Sequence, residues 1–302
     1  MEDNKTDYYE PSVFWSASAR NFRTSARLHL QHLLCQNTLG FLLEKRIKQS
    51  TTTTTTTASS SPFKVADLAC GNGVWLTDLS RDLADKGIPA SLDGFDINDL
   101  IFPTSAFLPE SVSLKKLDIL AKPLPQELIG VYDVIHVRAF VSVIFNENTT
   151  PLLSTVFSML KPGGWLQWEE MKADFIIEPS TPGLEKSACE TLAQILKVGG
   201  QSNGLRSDFL AKLDQHLINH GFENVSMFEA TKRKQDYRGW TDDFLMVWEE
   251  IAASLPSKAS QPQSPVTREF WTETLEKAIQ ETEKGVALHQ GALITVVGRK
   301  PT

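Results

Sequence analysis

Basic charge, cysteine and long apolar runs are all scarce in this chain. Lys and Arg number 30 against 37 Asp and Glu, a net charge of −7 over 302 residues. A surface of that sign offers no footprint for a phosphate backbone, so nucleic acid is not an expected partner. The three cysteines, Cys35, Cys70 and Cys189, lie far apart and form no CxxC pair. That spacing excludes a disulfide framework and a cysteine zinc site, and it predicts a reducing, cytoplasmic setting. The longest apolar-looking run, YDVIHVRAFVSVIF, is too short to cross a bilayer and carries His136 and Arg138. The opening residues, MEDNKTDYYEP, are acidic and polar, without the apolar centre of a secretory signal. Neither a membrane partner nor a secreted fate is therefore expected.

What remains is an ordinary globular composition, 41% hydrophobic and 22% charged, in a length that fits one large domain. Residues 14–48 show leucines at helical spacing, among them Leu30, Leu33, Leu34 and Leu42. QSTTTTTTTASSSP follows; its hydroxyl side chains have nothing apolar to bury, so residues 50–62 read as a flexible linker. Residues 1–49 then read as a helical lid and 63–302 as the main domain. Within that domain KVADLAC, ASLDGFDI, VSLKKLDI, VYDVIHVR and WLQWEEM read as strands. NGVWLTDLSRDLADKG and TPLLSTVFSML read as helices, the second stopped by KPGG. This alternation predicts an α/β fold with a doubly wound, mostly parallel sheet. Helical cap insertions are expected near 183–220 and 239–284, with FENVSMFEAT as a strand between them. VALHQGALITVVGRK reads as a final strand pair or one long strand.

In such sheets ligands sit at the carboxyl ends of the strands. VADLACGNG places Asp67 in the first strand and Gly71 and Gly73, flanking Asn72, in the turn after it. A dinucleotide loop would want a third glycine where Leu76 stands, which weakens a nicotinamide oxidoreductase reading. A carboxylate so near the loop repels phosphate and attracts an ammonium group. The second strand ends at Asp96-Ile97, where an acid can take both ribose hydroxyls; as an alternative, Asp96 caps a following helix. The third ends at Asp118-Ile119, an acceptor for an exocyclic amine with an apolar neighbour for a flat base, or simply a turn acid.

An ammonium, a ribose and an adenine partner in that strand order resemble the class I S-adenosylmethionine-dependent methyltransferases. The glycine loop, Asp96, LDI, YDVIHVR and LKPGGWLQWEE follow the family's order over roughly residues 63–171. One departure is Ala69, where the family often has the first glycine; alanine suits that place if it keeps a negative φ. RLHLQHLLCQNTLGFLL and GGWLQWEEM are similar to fungal secondary-metabolite N- and O-methyltransferases. The resemblance implies a seven-stranded Rossmann-like sheet and S-adenosylmethionine as cofactor, with S-adenosylhomocysteine as product. It implies cofactor contacts at Asp67, Ala69, Gly71, Asn72, Gly73, Asp96, Ile97, Asp118, Ile119, Val137 and Arg138.

Methyl transfer needs orientation first, and a base only where the acceptor must lose a proton. His32 and Glu169 are the candidate bases, and Gln31, His32, Trp168 and Glu169 the candidate substrate contacts. The blander reading has His29, His32 and Gln36 as a solvated stripe, Trp168 as core and Glu169 as a solvated acid. Two histidines three apart without further ligands make no metal site, so a metal-independent enzyme is expected. A small-molecule substrate is expected, of peptide or alkaloid type, with the chain a monomer or homodimer. The rival is a cofactor-bound protein that does not methylate, a regulatory partner or a fold recruited for a pericyclase-like rearrangement.

Overall fold

Local chemistry at Asn21 sets the first helix. In the computed structural model, which describes residues 20–47, 62–172 and 174–302, the Asn21 side chain accepts from the backbone of Arg23 and Thr24, while its own N–H reaches Thr24 Oγ1. This reciprocal capping starts α1 (Phe22–Leu39), and Gly40, at φ 73, ends it. The expected linker, apart from Pro62, and residues 14–19 and 48 of the expected helical stretch lie outside the described residues.

The main sheet has seven strands in the order β3-β2-β1-β4-β5-β9-β7. They are β1 (Phe63–Leu68), β2 (Ala90–Asp96), β3 (Val112–Lys116), β4 (Tyr132–Arg138), β5 (Leu160–Met171), β7 (Glu223–Ala230) and β9 (Leu293–Arg299). β9 alone runs opposite to the rest, pairing antiparallel with both β5 and β7. The chain winds outward from β1 to β3 and then crosses back to β4, so the switch point falls between β1 and β4. A crevice opens there at the carboxyl ends of the strands. Helices α2 (Val74–Asp85) and α3 (Thr150–Met159) cover opposite faces, α2 over a core of Val65, Leu79 and Val134, α3 over one of Ile135, Leu166 and Trp168.

A third core lies beyond the sheet. It joins α1 to α4 (Ser187–Ser202), α6 (Tyr237–Ser254), α7 (Arg268–Glu283) and a short antiparallel pair, β6 (Phe175–Pro179) with β8 (Val286–Gln290). A further short helix, α5 (Leu213–Asn219), precedes β7. β6 has no counterpart in the sequence reading, and VALHQGALITVVGRK divides between the two sheets rather than forming one pair. KPGG does not separate helix from strand: β5 starts at Leu160, and residues 161–164 bulge out between the Tyr132–Leu160 and Val134–Trp165 pairings.

Ala69 overturns one expectation directly. Its φ is +58, as Gly71 is +58 and Gly73 +74, so the turn after β1 asks a residue with a Cβ to sit in left-handed space. Ala69→Gly should raise the unfolding free energy by about 1 kcal/mol through relief of that strain, partly offset by the freer unfolded chain. A thermal midpoint at or below that of the wild type would show the strain to be absent.

Candidate active site

The crevice holds a cavity of about 330 Å³, inside the range of small-molecule sites. Ala69, Cys70, Gly71 and Asn72 form its floor, Asp96 and Ile97 one side, and Asp118 and Ile119 the next. Gly71 is favoured by its φ, and a Cβ there would also press on the neighbouring helix, 2.8 Å from the end of the Leu28 side chain of α1. A second glycine does the close packing that a dinucleotide loop assigns to its third. At Gly94 a Cβ would stand 2.8 Å from Leu76 and 2.5 Å from Leu114, so strand β2 carries the small residue and the helix keeps its leucine.

The cavity rests on a buried ionic network created by strand register. Asp67 lies beside His136 and Arg138 beside Glu169 on neighbouring strands. His136 Nδ1 is 2.7 Å from Asp67 Oδ1, and its Nε2 is 3.4 Å from Glu169 Oε2. Trp75 stacks flat on the imidazole, 3.8 Å between ring centres. Burial opposes the charge on His136, but the two carboxylates more than offset it and raise its pKa. Arg138 Nε donates to Glu169 Oε2 at 2.7 Å, and Gln167 Nε2 donates to Glu169 Oε1 at 2.7 Å. Burial alone would favour the neutral acid, yet Arg138 and His136 hold Glu169 down to about 2.

Helix α1 plugs into this network through His32. Arg138 can only donate, so His32 Nδ1 accepts from it at 3.2 Å, and His32 Nε2 then donates to Asp78 at 2.8 Å. Burial first, then the Arg138 charge, lowers its pKa and keeps the ring neutral. Further along α1, Arg27 pairs with Glu250 at 2.9 Å and Gln31 Nε2 donates to Asp243 at 3.3 Å, both acids on α6. Burial pushes Asp243 up to about 6 against the pull of Arg27.

The candidates read from the sequence separate on this geometry. Asp67, Ala69, Gly71, Asn72, Asp96, Ile97, Asp118, Ile119 and Arg138, together with Gln31 and His32, line the one cavity. Gly73 does not, acting as N-cap of α2, and Val137 is buried in the core. Trp168 is not a cavity wall: it is fully buried, donates to Glu170 at 2.7 Å and packs near Phe209. Strand alternation explains this, because Trp168 points to the face opposite Gln167 and Glu169. Glu169 is no solvated acid and does not line the crevice cavity; it lies behind Arg138 with its oxygens committed. His136, Trp75, Arg20 and Asp243 were missed. Asp243 had a legible signal, an acid on the helical stripe of Trp240, Phe244 and Trp248, all buried. Among the described residues, no group of three or more His, Cys, Asp or Glu side chains could hold a metal, and no helix is long and apolar enough to cross a membrane.

No family model matches the chain. It is 35% identical over 119 residues to methyltransferase grgD of Penicillium sp, covering 38% of this chain and 41% of that protein. It is 31% identical over 106 residues to N-methyltransferase verN of Clonostachys rogersoniana, covering 35% and 36%. The matched stretch thus spans about two fifths of these curated relatives. Among solved structures, the crystal structure of the [4+2]-cyclase SpnF is 16% identical, with TM-score 0.45, covering 90% of this chain and 93% of that one. The chain resembles class I S-adenosylmethionine-dependent methyltransferases, fungal ones among them.

Proposed function

We propose that this chain transfers a methyl group from S-adenosylmethionine to a nitrogen or oxygen of a small secondary metabolite, of peptide or alkaloid type. The observation that carries the reading is the convergence of Asp67, Asp96 and Asp118, from the ends of three strands, on one cavity floored by a glycine turn. The residues present fit the cofactor. Asp67 spends Oδ1 on His136 and keeps Oδ2 for an ammonium group. Asp96 accepts from the Gly71 and Asn98 N–H groups and pairs with Arg20 at 3.4 Å, a long contact that ribose hydroxyls would replace. Asp118, beside Ile119, would accept from adenine. When bound, the cofactor supplies an electrophilic methyl on sulfur.

The chain's own part is orientation and exclusion of water, worth on the order of 7–11 kcal/mol in well-aligned models. Neither candidate base is free to take a proton: Glu169 is held ionised by its partners, and both His32 nitrogens are engaged. In this reading His32 and Glu169 position α1 and Arg138, and α1 acts as the lid over the crevice.

Asp96→Ala should weaken S-adenosylmethionine binding about tenfold or more, since each bond to a charged acceptor contributes roughly 1.5–3 kcal/mol. Calorimetry showing wild-type affinity in a folded variant would remove the ribose role. Incubation with methyl-labelled cofactor and candidate metabolites, read by mass spectrometry, tests the activity itself. Cofactor binding with no methylated product across the panel would favour the non-methylating rival.

A further inference from the structure

We propose that Gln31 is a specificity-determining residue whose side-chain carbonyl, aimed by Asp243, selects substrates with an N–H or O–H donor on an apolar aromatic ring. The inference deepens the methyltransferase reading and rests on it, since it takes this end of the cavity as the acceptor site. Gln31 lines the cavity and is only 9% exposed. Its Nε2 donates to Oδ2 of Asp243, which is fully buried on α6. An ionised carboxylate can only accept, so the amide nitrogen is committed to that side. Arg27, 4.0 Å from the other Asp243 oxygen, favours the ionised form. Oε1 of Gln31 has no partner among the described residues and is left to the cavity.

The surroundings define the rest of the ligand. Phe244 and Val247 of α6 line the same cavity, as do Met171 and Phe175. Phe175 and Phe244 meet edge to face, 5.1 Å between centres at 85°. Such a wall takes a flat ring by stacking or edge contact. His32, the neighbouring polar group on α1, cannot read the same atom because both its nitrogens are engaged. A ring that lacks a donor would cover the Gln31 oxygen without giving it a partner, which is what makes the position selective.

Indole and benzofuran test this directly, having nearly one shape and differing in N–H against ring oxygen. Ligand-observed NMR titrations of the full chain with S-adenosylhomocysteine present should show indole bound roughly tenfold more tightly than benzofuran. Gln31→Met should bring the ratio near one while benzofuran still binds. Asp243→Asn, which lets the amide turn its NH2 to the cavity, should also lower the ratio. A wild-type ratio near one, or binding of neither ring, overturns the proposal, as does an unchanged ratio in folded Gln31→Met or Asp243→Asn. Should Asp243→Asn fail to fold, Gln31→Met decides alone. Calorimetry with S-adenosylmethionine is run separately. Loss of cofactor binding beside an intact indole preference would remove methyl transfer and leave the donor-reading carbonyl standing.

Discussion

Arg138→Met is expected to lower the unfolding free energy by about 3–5 kcal/mol, the usual result of removing one partner from a buried ion pair. The Arg138 guanidinium places Nε 2.7 Å and Nη2 2.6 Å from Glu169 Oε2. Both side chains are largely removed from water, at 13% and 2% exposure. Methionine fills much of the arginine stem, so the loss is electrostatic rather than a cavity. Glu169 would keep only Gln167 and His136 against its burial, and His32 Nδ1 would lose its donor. The sign with pH follows from Glu169, which the network holds at about 2 against an ordinary 4.5. A depressed carboxyl stabilises the fold above the unfolded value, and that stabilisation is lost as pH falls from about 4.5 toward 2. Arg138→Met should therefore flatten the acid limb of the stability curve as well as lower its plateau. Chemical denaturation across pH 2–8 reads both, and a variant within about 1 kcal/mol of wild type would show that the pair contributes little. Adding Glu169→Gln should recover part of the loss, since the stranded charge is removed.

How much of this was legible from the sequence depends on what each feature needs in order to exist. The parallel sheet needs only alternation of strand and helix patterns, and the strand ends at Asp67, Asp96 and Asp118 follow from it. The glycine turn was legible for the same reason, although Ala69 was expected in ordinary backbone space and is not. The ionic network needs register. Nothing in YDVIHVR or WLQWEEM says that His136 faces Asp67 or that Arg138 faces Glu169; those pairs appear only when β4 is laid between β1 and β5. Trp168 went wrong for a related reason. An aromatic beside an acid looks like a binding wall, but parity along the strand sends the two to opposite faces. The contacts of α1 with α6 join residues more than 200 positions apart, and no local pattern encodes them.

Glu170 gives the opposite pH dependence, over the window from about 4.5 to about 8. Its carboxyl sits behind the turn that follows β4, where Oε1 accepts from Trp168 Nε1 and from the backbone of Phe140, each at 2.7 Å. Oε2 is buried and finds no donor among the described residues. Burial, helped by the Glu169 charge, raises the pKa to about 8 against the pull of Trp168 and of the Phe140 and Val141 backbone N–H groups. A carboxyl whose folded pKa exceeds its unfolded 4.5 binds more protons when folded, so stability falls as pH rises through that window, by on the order of 4 kcal/mol. His136, with its raised pKa, adds a fall of the same sign above about 6.5, while Lys232, lowered to about 8 by burial, works the other way above that value. The comparison with Glu170→Gln isolates the carboxyl from both. Glutamine keeps an acceptor for Trp168 and Phe140 and cannot ionise, but buries an N–H2 where Oε2 lacked a partner, at a pH-independent cost of about 1–3 kcal/mol. The variant should thus be less stable than wild type at pH 5, and the two curves should converge or cross by pH 9. Parallel curves across that range would mean that Glu170 is ionised in the folded protein throughout.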